Sequence, residues 1–126
     1  MLDQLLAVKA CREVGIRSRI ASIDRQEKEC IERRVRLFDR QQELRAERAA
    51  LFKGAPVVGP DAFQRLKRSL AALYEEECTV IAEVNAIRED LITCKAEREN
   101  RFVELRQNLR SQEKLTILLE VGDDAR

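Results

Sequence analysis

The stretch FKGAPVVGPDAF, residues 52–63, contains both prolines of this 126-residue chain and two of its four glycines. Gly54 can adopt the left-handed conformation that ends a helix, and Pro56 shortly after it prevents the helix from continuing. Asp61 can then cap a second helix. One turn, at residues 54–60, is therefore predicted to separate two helical segments.

The segments on both sides of this turn have the composition of long helices. Residues 2–53 contain only Gly15 as a residue that strongly disfavours a helix, and residues 61–121 contain none. Charged residues make up 37% of the chain and aromatic residues 4%, which is typical of coiled coils rather than of a compact globular core. We predict an all-α fold, a long antiparallel two-helix coiled-coil hairpin with one short turn and a tail at residues 122–126.

Apolar residues recur in both segments at alternating steps of three and four, which is the heptad pattern of a coiled coil. This seam is clear in the second segment and weaker in the first, where polar residues interrupt it. Because a single seam with polar residues buries little area, we expect marginal stability. The predicted seam consists of Ile16, Ile20, Ile23, Glu27, Cys30, Arg34, Leu37, Gln41, Leu44, Arg48 and Leu51, followed by Phe63, Leu66, Leu70, Leu73, Glu77, Val80, Val84, Ile87, Leu91 and Cys94.

If the turn closes tightly, Leu51 lies opposite Phe63, and this fixes which seam residues of the two helices face each other. Each facing pair then has at least one apolar member, as far as Ile20 opposite Cys94. The same register places oppositely charged residues together on the flanks of the seam, at Arg40 with Glu76, Arg33 with Glu83, Arg19 with Glu97, and Asp24 with Arg88.

The charge pattern argues against several functions. The formal net charge is +1, so the chain lacks the basic footprint of a nucleic-acid-binding protein. The basic run ERRVR at residues 32–36 and the acidic run EEE at residues 75–77 are interpreted as solvated helix faces. No apolar run is long enough for membrane insertion, and the start does not have the features of a signal peptide. We expect a cytosolic protein.

The side chains needed for catalysis or metal binding are also missing from the sequence. The chain has no histidine, and a lone hairpin offers no pocket in which reacting groups converge. We therefore expect no enzyme activity, no cofactor and no metal site. The four cysteines have no CxxC spacing and are interpreted as reduced, partly buried thiols. They are Cys11, Cys30, Cys78 and Cys94.

Two apolar segments are candidates for partner binding. The predicted register places Gln112 level with Leu2, so LTILLEV at residues 115–121 would extend beyond the first helix and expose apolar surface. The alternative is a frayed or self-associating helix end. The second candidate is the tip of the turn, where simple packing of the turn is an equal alternative. The tip residues are Phe52, Val57, Val58 and Phe63.

With LLAVKACRE at residues 5–13 and LRSQEKLTILLE at residues 109–120, this helical hairpin resembles the central stalk proteins of type III secretion systems, the YscO/FliJ-like family. The resemblance implies a cytosolic, non-enzymatic stalk, similar in shape to the two-helix shaft of the rotary ATPase gamma subunit. The coil ends of such a stalk insert into the pore of the export ATPase hexamer. The remainder reaches toward the cytoplasmic domain of the export gate, and family members also bind secretion chaperones.

The resemblance also implies site residues and a location at the cytoplasmic side of the inner-membrane secretion apparatus. A coiled-coil scaffold or adaptor unrelated to an ATPase is the alternative function, and a chaperone that escorts substrates is a third. The implied ATPase-binding residues are Leu5, Leu6, Arg12, Glu13, Arg106, Arg110 and Lys114, and the predicted overhang adds Leu118. The implied gate-binding residues are Phe63, Leu66, Arg68 and Tyr74.

Overall fold

The computed structural model describes residues 1–54 and 59–124. Helix α1 spans Leu2–Lys53 and helix α2 spans Pro60–Asp124. The two helices pack against each other in antiparallel directions, which confirms the predicted all-α hairpin. Helix α2 continues three residues into the segment predicted as a tail. Most of the predicted turn, including Pro56 and the tip residues Val57 and Val58, lies outside the described residues.

The glycines and Pro60 account for the described helix ends next to the turn, but the left-handed conformation predicted for Gly54 occurs at Gly59 instead. The N–H of Gly54 donates a 2.9 Å hydrogen bond to the carbonyl of Ala50 at the end of α1. Gly59 has a φ of 96°, a left-handed conformation that glycine adopts without steric cost. Pro60 follows as the first residue of α2, where its missing N–H is not needed. Asp61 therefore lies inside the first turn rather than capping the helix, and its charge suits the positive helix end.

The chain divides into two compact units. The terminal unit contains Met1–Lys28 and Ile92–Arg126, and the turn unit contains Glu29–Leu91. In the terminal unit, Ile16, Ile20 and Leu105 form a buried apolar cluster. Among the described residues of the turn unit, the buried apolar ones are Leu44, Val80 and Ile87. Cys94 is buried and Cys30 half-buried, whereas Cys11 and Cys78 are exposed.

The register of the terminal unit differs from the predicted one. Leu105 packs with Ile16 and Ile20, whereas the predicted register places Ile16 opposite Arg98, seven positions earlier. Arg98 instead forms ion pairs with Asp24 at 2.9 Å and with Glu27 at 2.7 Å. The predicted pairing of Ile20 with Cys94 is therefore wrong by about one heptad. The predicted ion pair Arg19–Glu97 is not formed among the described residues of this unit, and Asp24 pairs with Arg98 rather than with its predicted partner Arg88.

The turn unit confirms one predicted ion pair and contains another that was not predicted. Arg40 binds Glu76 through two hydrogen bonds of 2.6 and 2.8 Å, as the charge pattern indicated. Arg48 forms a 3.0 Å ion pair with Glu77, although the predicted register would place it near Leu66. Among the residues that the structure describes, the predicted pair Arg33–Glu83 is not formed. Phe63, which the predicted register pairs with Leu51, is about half exposed.

The shifted register removes the predicted overhang at the end of α2. From the contact between Glu13 and Gln112, α1 has eleven further residues to Leu2 and α2 has twelve to Asp124. The two helix ends are therefore about level. Leu115, at 9% exposure, is buried, and Leu119 is half-buried, so the prediction that this segment lacks a covering helix is wrong.

Candidate partner-binding surface

One edge of the terminal unit combines side chains from both helices. Arg12 and Arg19 of α1 line a shallow cavity of about 320 Å³ together with Glu104 of α2. A neighbouring cavity of about 310 Å³ is lined by Arg12, Glu104 and Ser111. Arg12 and Arg19 are seven residues apart, as are Glu104 and Ser111, so each pair repeats along one side of its helix.

Continuing this repeat by one heptad reaches two leucines near the helix ends. Leu5 precedes Arg12 by seven residues, and Leu118 follows Ser111 by seven. Because the helices are antiparallel, both steps lead toward the same end of the hairpin. Leu5 is 45% exposed and Leu118 is 54% exposed. Both predicted contact residues therefore lie on the same edge and offer apolar surface to a partner. We call the edge formed by Leu5, Arg12, Glu104, Ser111 and Leu118 the end surface.

Two of the predicted ATPase-binding residues point toward the seam instead. Leu6 is half-buried at a seam position, seven residues before Glu13. Glu13 is also half-buried and accepts hydrogen bonds from Arg17 Nε at 2.7 Å and from Gln112 Nε2 at 3.0 Å. The hydrogen bond from Arg17, and then that from Gln112, lowers the pKa of Glu13 below its ordinary value of 4.5. Glu13 therefore links the ends of the two helices through Gln112, and Leu6 is a half-buried seam residue.

A polar layer in the seam was missed by sequence reasoning. Gln112 donates from Nε2 to Oδ1 of Asn108 at 2.6 Å as well as to Glu13, and Asn108 is buried. The signal was present, because Leu105, Asn108, Gln112 and Leu115 continue the heptad spacing after Cys94. Partnered polar residues in a seam favour one register over its neighbours.

The predicted basic contacts on α2 form a separate ridge. Arg106, Arg110 and Lys114 are exposed and spaced by four residues, so their side chains neighbour one another along one face of the helix. None of the three forms an ion pair with another described residue. Leu118 follows at the same spacing. The ridge and the end surface therefore converge at Leu118, where cationic and apolar side chains are both open to a partner.

The predicted gate-binding residues lie in the turn unit and do not form one surface. Phe63 and Tyr74 are exposed and eleven residues apart, which places them on the same face of α2. Lys67 Nζ lies 5.4 Å from the ring centroid of Phe63, within the range of a cation–π interaction. Leu66 is half-buried, and Arg68 is exposed on another face. A hydrogen bond with Cys78 raises the pKa of Tyr74.

The described part of the chain has neither a metal-binding cluster nor a membrane-spanning helix. It contains no group of three or more Cys, Asp or Glu side chains arranged to hold a metal ion. Neither helix includes, among its described residues, a stretch long and apolar enough to cross a bilayer. Comparison of the chain with protein-family models, curated proteins and solved structures found no match.

Proposed function

We propose that this chain is a non-enzymatic stalk protein of a type III secretion system. Its helix ends dock in the pore of the export ATPase hexamer, and it couples that ATPase to the export gate at the cytoplasmic side of the inner membrane. The contact between Glu13 and Gln112 carries the proposal, because it sets the two helix ends level. A single chain then presents both ends together to a ring.

The side chains at the ends suit docking in an acidic, partly apolar pore. Leu5 and Leu118 supply apolar surface. Because about half of each leucine side chain would become buried, each should stabilise the complex by roughly 1 kcal/mol. Arg106, Arg110 and Lys114 provide cations without intramolecular ion pairs. Such charges steer association with a negatively charged partner, and this attraction weakens as the salt concentration rises. Leu6 and Glu13 act indirectly, because they keep the helix ends paired.

Contact with the cytoplasmic domain of the gate is proposed for the exposed face that carries Phe63 and Tyr74. Leu66 follows Phe63 by three residues and is half-buried. Arg68 lies on a different face and would need a second contact. Secretion chaperones are further proposed partners, as in the family that the sequence resembles.

Gel filtration with the purified export ATPase of the same organism tests the docking. The wild-type chain is expected to co-elute with the ATPase, and less so at higher salt. The double variant Arg106→Glu with Arg110→Glu should lose co-elution while its helical circular dichroism signal is retained. Arg25→Glu with Arg36→Glu is a matched control on exposed residues of α1 and should still co-elute. Equal binding by both double variants would contradict the proposed role of the ridge.

A coiled-coil scaffold or adaptor unrelated to an ATPase is the second candidate. It is favoured by exposed apolar residues of the turn unit, which we call the turn-unit stripe: Ile31, Val35, Phe38, Tyr74 and Ile81. A scaffold would bind its partner through this stripe and would not co-elute with the ATPase. A substitution in the stripe should therefore disrupt binding by a scaffold, whereas a substitution at Leu118 should disrupt binding by a stalk.

A further inference from the structure

The turn-unit stripe lies on one open face shared by both helices. Ile31 and Phe38 each follow a seam residue of α1 by one position, and Tyr74 and Ile81 do the same on α2. In an antiparallel coiled coil these equivalent positions flank the seam on the same side. Val35 and Phe38 of α1 also line a cavity of about 370 Å³ together with Val84 of α2. Both helices therefore contribute side chains to this face.

This face exposes more apolar side chains than the turn unit buries. The buried apolar side chains among the unit's described residues are Leu44, Val80 and Ile87. By contrast, all five stripe residues are exposed, with Phe38 at 58% and Tyr74 at 68%. Two helices alone leave part of their shared apolar surface exposed to water, whereas a four-helix bundle surrounds its core with helices. Stacking two turn units on this face would convert the stripe into such a core.

The stripe supplies most of the area that association of two copies needs. A fully buried aromatic side chain removes 150–250 Å² from water, so Phe38 and Tyr74, which are 58% and 68% exposed, offer roughly 250 Å² per copy. Ile31, Val35 and Ile81 add about 50 Å² each. Two copies would then bury about 800 Å² from the stripe alone, and rim residues would supply the rest of the roughly 1,000 Å² of a specific interface.

The charges around the stripe are self-complementary. Glu32 and Arg45 lie thirteen residues apart on α1, and Glu75 and Arg88 lie thirteen apart on α2. The contacts Arg40–Glu76 and Arg48–Glu77 place Arg45 about level with Glu75. Because the helices are antiparallel, Glu32 is then about level with Arg88. None of Glu32, Arg45, Glu75 and Arg88 forms an ion pair with another described residue.

We propose that the turn-unit stripe binds a second copy of this chain, and that the two turn units form a four-helix bundle. A two-fold axis parallel to the helices places α1 of one copy against α2 of the other. Glu32 then meets Arg88 of the second copy, and Arg45 meets its Glu75, at both edges of the apolar stripe. The formal net charge of +1 adds little repulsion between copies. Since the end surface lies in the terminal unit, this inference does not depend on the proposed docking in the ATPase. Tyr74 belongs both to the stripe and to the proposed gate contact, so the dimer and the gate would compete for that side chain.

Sedimentation equilibrium of the full chain tests the dimer directly. We expect a concentration-dependent shift from the monomer mass of 14.6 kDa to twice that mass. Phe38→Glu should weaken dimerisation by roughly 30-fold or more, the scale of an interface hot spot, and Ile81→Glu should act similarly. The matched control is Val14→Glu, at another exposed valine that lies in the terminal unit, and it should leave the dissociation constant unchanged. Circular dichroism checks that each variant remains helical.

Charge reversal tests the arrangement of the two copies. Glu32→Arg and Arg88→Glu should each weaken the dimer a few-fold, and the double variant should recover much of the loss. A chain that remains monomeric up to about 1 mM would overturn the proposal and leave the stripe to a different protein. A dimer that is disrupted by Val14→Glu and not by Phe38→Glu would equally overturn it, because another face would then form the interface.

Discussion

Gln112 of α2 donates a 3.0 Å hydrogen bond to the carboxylate of Glu13 of α1. This contact fixes which parts of the two helices lie side by side in the terminal unit. It brings the start of α1 level with the end of α2, whereas closure of the tightest possible turn would have placed Gln112 beside Leu2. The proposed docking of both helix ends in one ring depends on this relationship.

Cross-linking tests the register through this pair. In a chain whose four native cysteines are replaced by alanine, Glu13→Cys with Gln112→Cys should form a disulfide or react with a short bismaleimide. Leu2→Cys with Gln112→Cys should not, because eleven residues of helix separate Leu2 from Glu13 by about 16 Å. The products are distinguished by mobility on denaturing gels. Preferential cross-linking of Leu2→Cys with Gln112→Cys would contradict the observed register and favour the one predicted from a tight turn.

Leu118 and Leu115 provide a matched pair that separates binding from folding. Leu118 is 54% exposed and Leu115 is 9% exposed, although both are leucines in the same turn of α2. Leu118→Asp should abolish binding to the ATPase with little change in helical circular dichroism. Leu115→Asp should destabilise the terminal unit, because it places a charge in an apolar site. Loss of helix in the Leu118 variant would assign that side chain to folding instead.

The ion pair of Arg48 and Glu77 is expected to specify structure more than to stabilise it. The Glu77 side chain is only 16% exposed, and its Oε1 atom is buried without a hydrogen-bond partner among the described residues. Arg48→Ala should therefore destabilise the hairpin by about 1–2 kcal/mol. Glu77→Leu with Arg48→Leu should be neutral or stabilising. Urea unfolding measures both, and a large loss in the double leucine variant would contradict this prediction.

Acid should weaken the terminal unit through Glu13. Hydrogen bonds from Arg17 and Gln112 lower the pKa of Glu13 in the folded chain below its ordinary value of 4.5. The folded state therefore binds this proton less readily than the unfolded state. The resulting stabilisation is present above about pH 4.5 and is lost as the pH falls through the folded-state pKa. Because the site is solvent-accessible, the effect should be small.

Thermal unfolding between pH 6 and pH 3 measures this contribution. The melting temperature of Glu13→Gln should fall less over this range than that of the wild-type chain. Glu99→Gln is a control at an exposed position and should follow the wild type. Identical pH profiles for the wild type and the Glu13 variant would show that Glu13 does not contribute.

The sequence was sufficient to predict the helices but not how they are aligned. The glycines and prolines between Phe52 and Phe63 mark the turn, and nothing else in the chain strongly opposes a helix, so the fold class followed directly. A heptad pattern is unchanged by a shift of seven residues. The choice of register therefore depended on the assumption that Leu51 faces Phe63. The packing of Leu105 with Ile16 shows that the seam continues beyond Cys94.

The surface residues were predictable where exposure depends on one helix alone. The spacing of Arg106, Arg110 and Lys114 defines a ridge in any register, and Leu118 is exposed although the predicted overhang was wrong. Long side chains made ion pairs harder to assign. Arg98 reaches Asp24 and Glu27, whereas a fixed layer-by-layer pairing selected Arg88. Arg40 and Glu76 are long enough to meet in both registers, which is why that pair was predicted correctly.

The steady-state ATP hydrolysis rate of the export ATPase from the same organism, titrated with this chain, tests the stalk proposal most directly. We predict saturable stimulation that accompanies assembly of the hexamer, is stronger at low salt, and is lost with Leu118→Asp. The stripe variant Phe38→Glu should stimulate as the wild type does. A flat titration at both low and moderate salt, without co-elution of the two proteins, would contradict the stalk function and favour the scaffold.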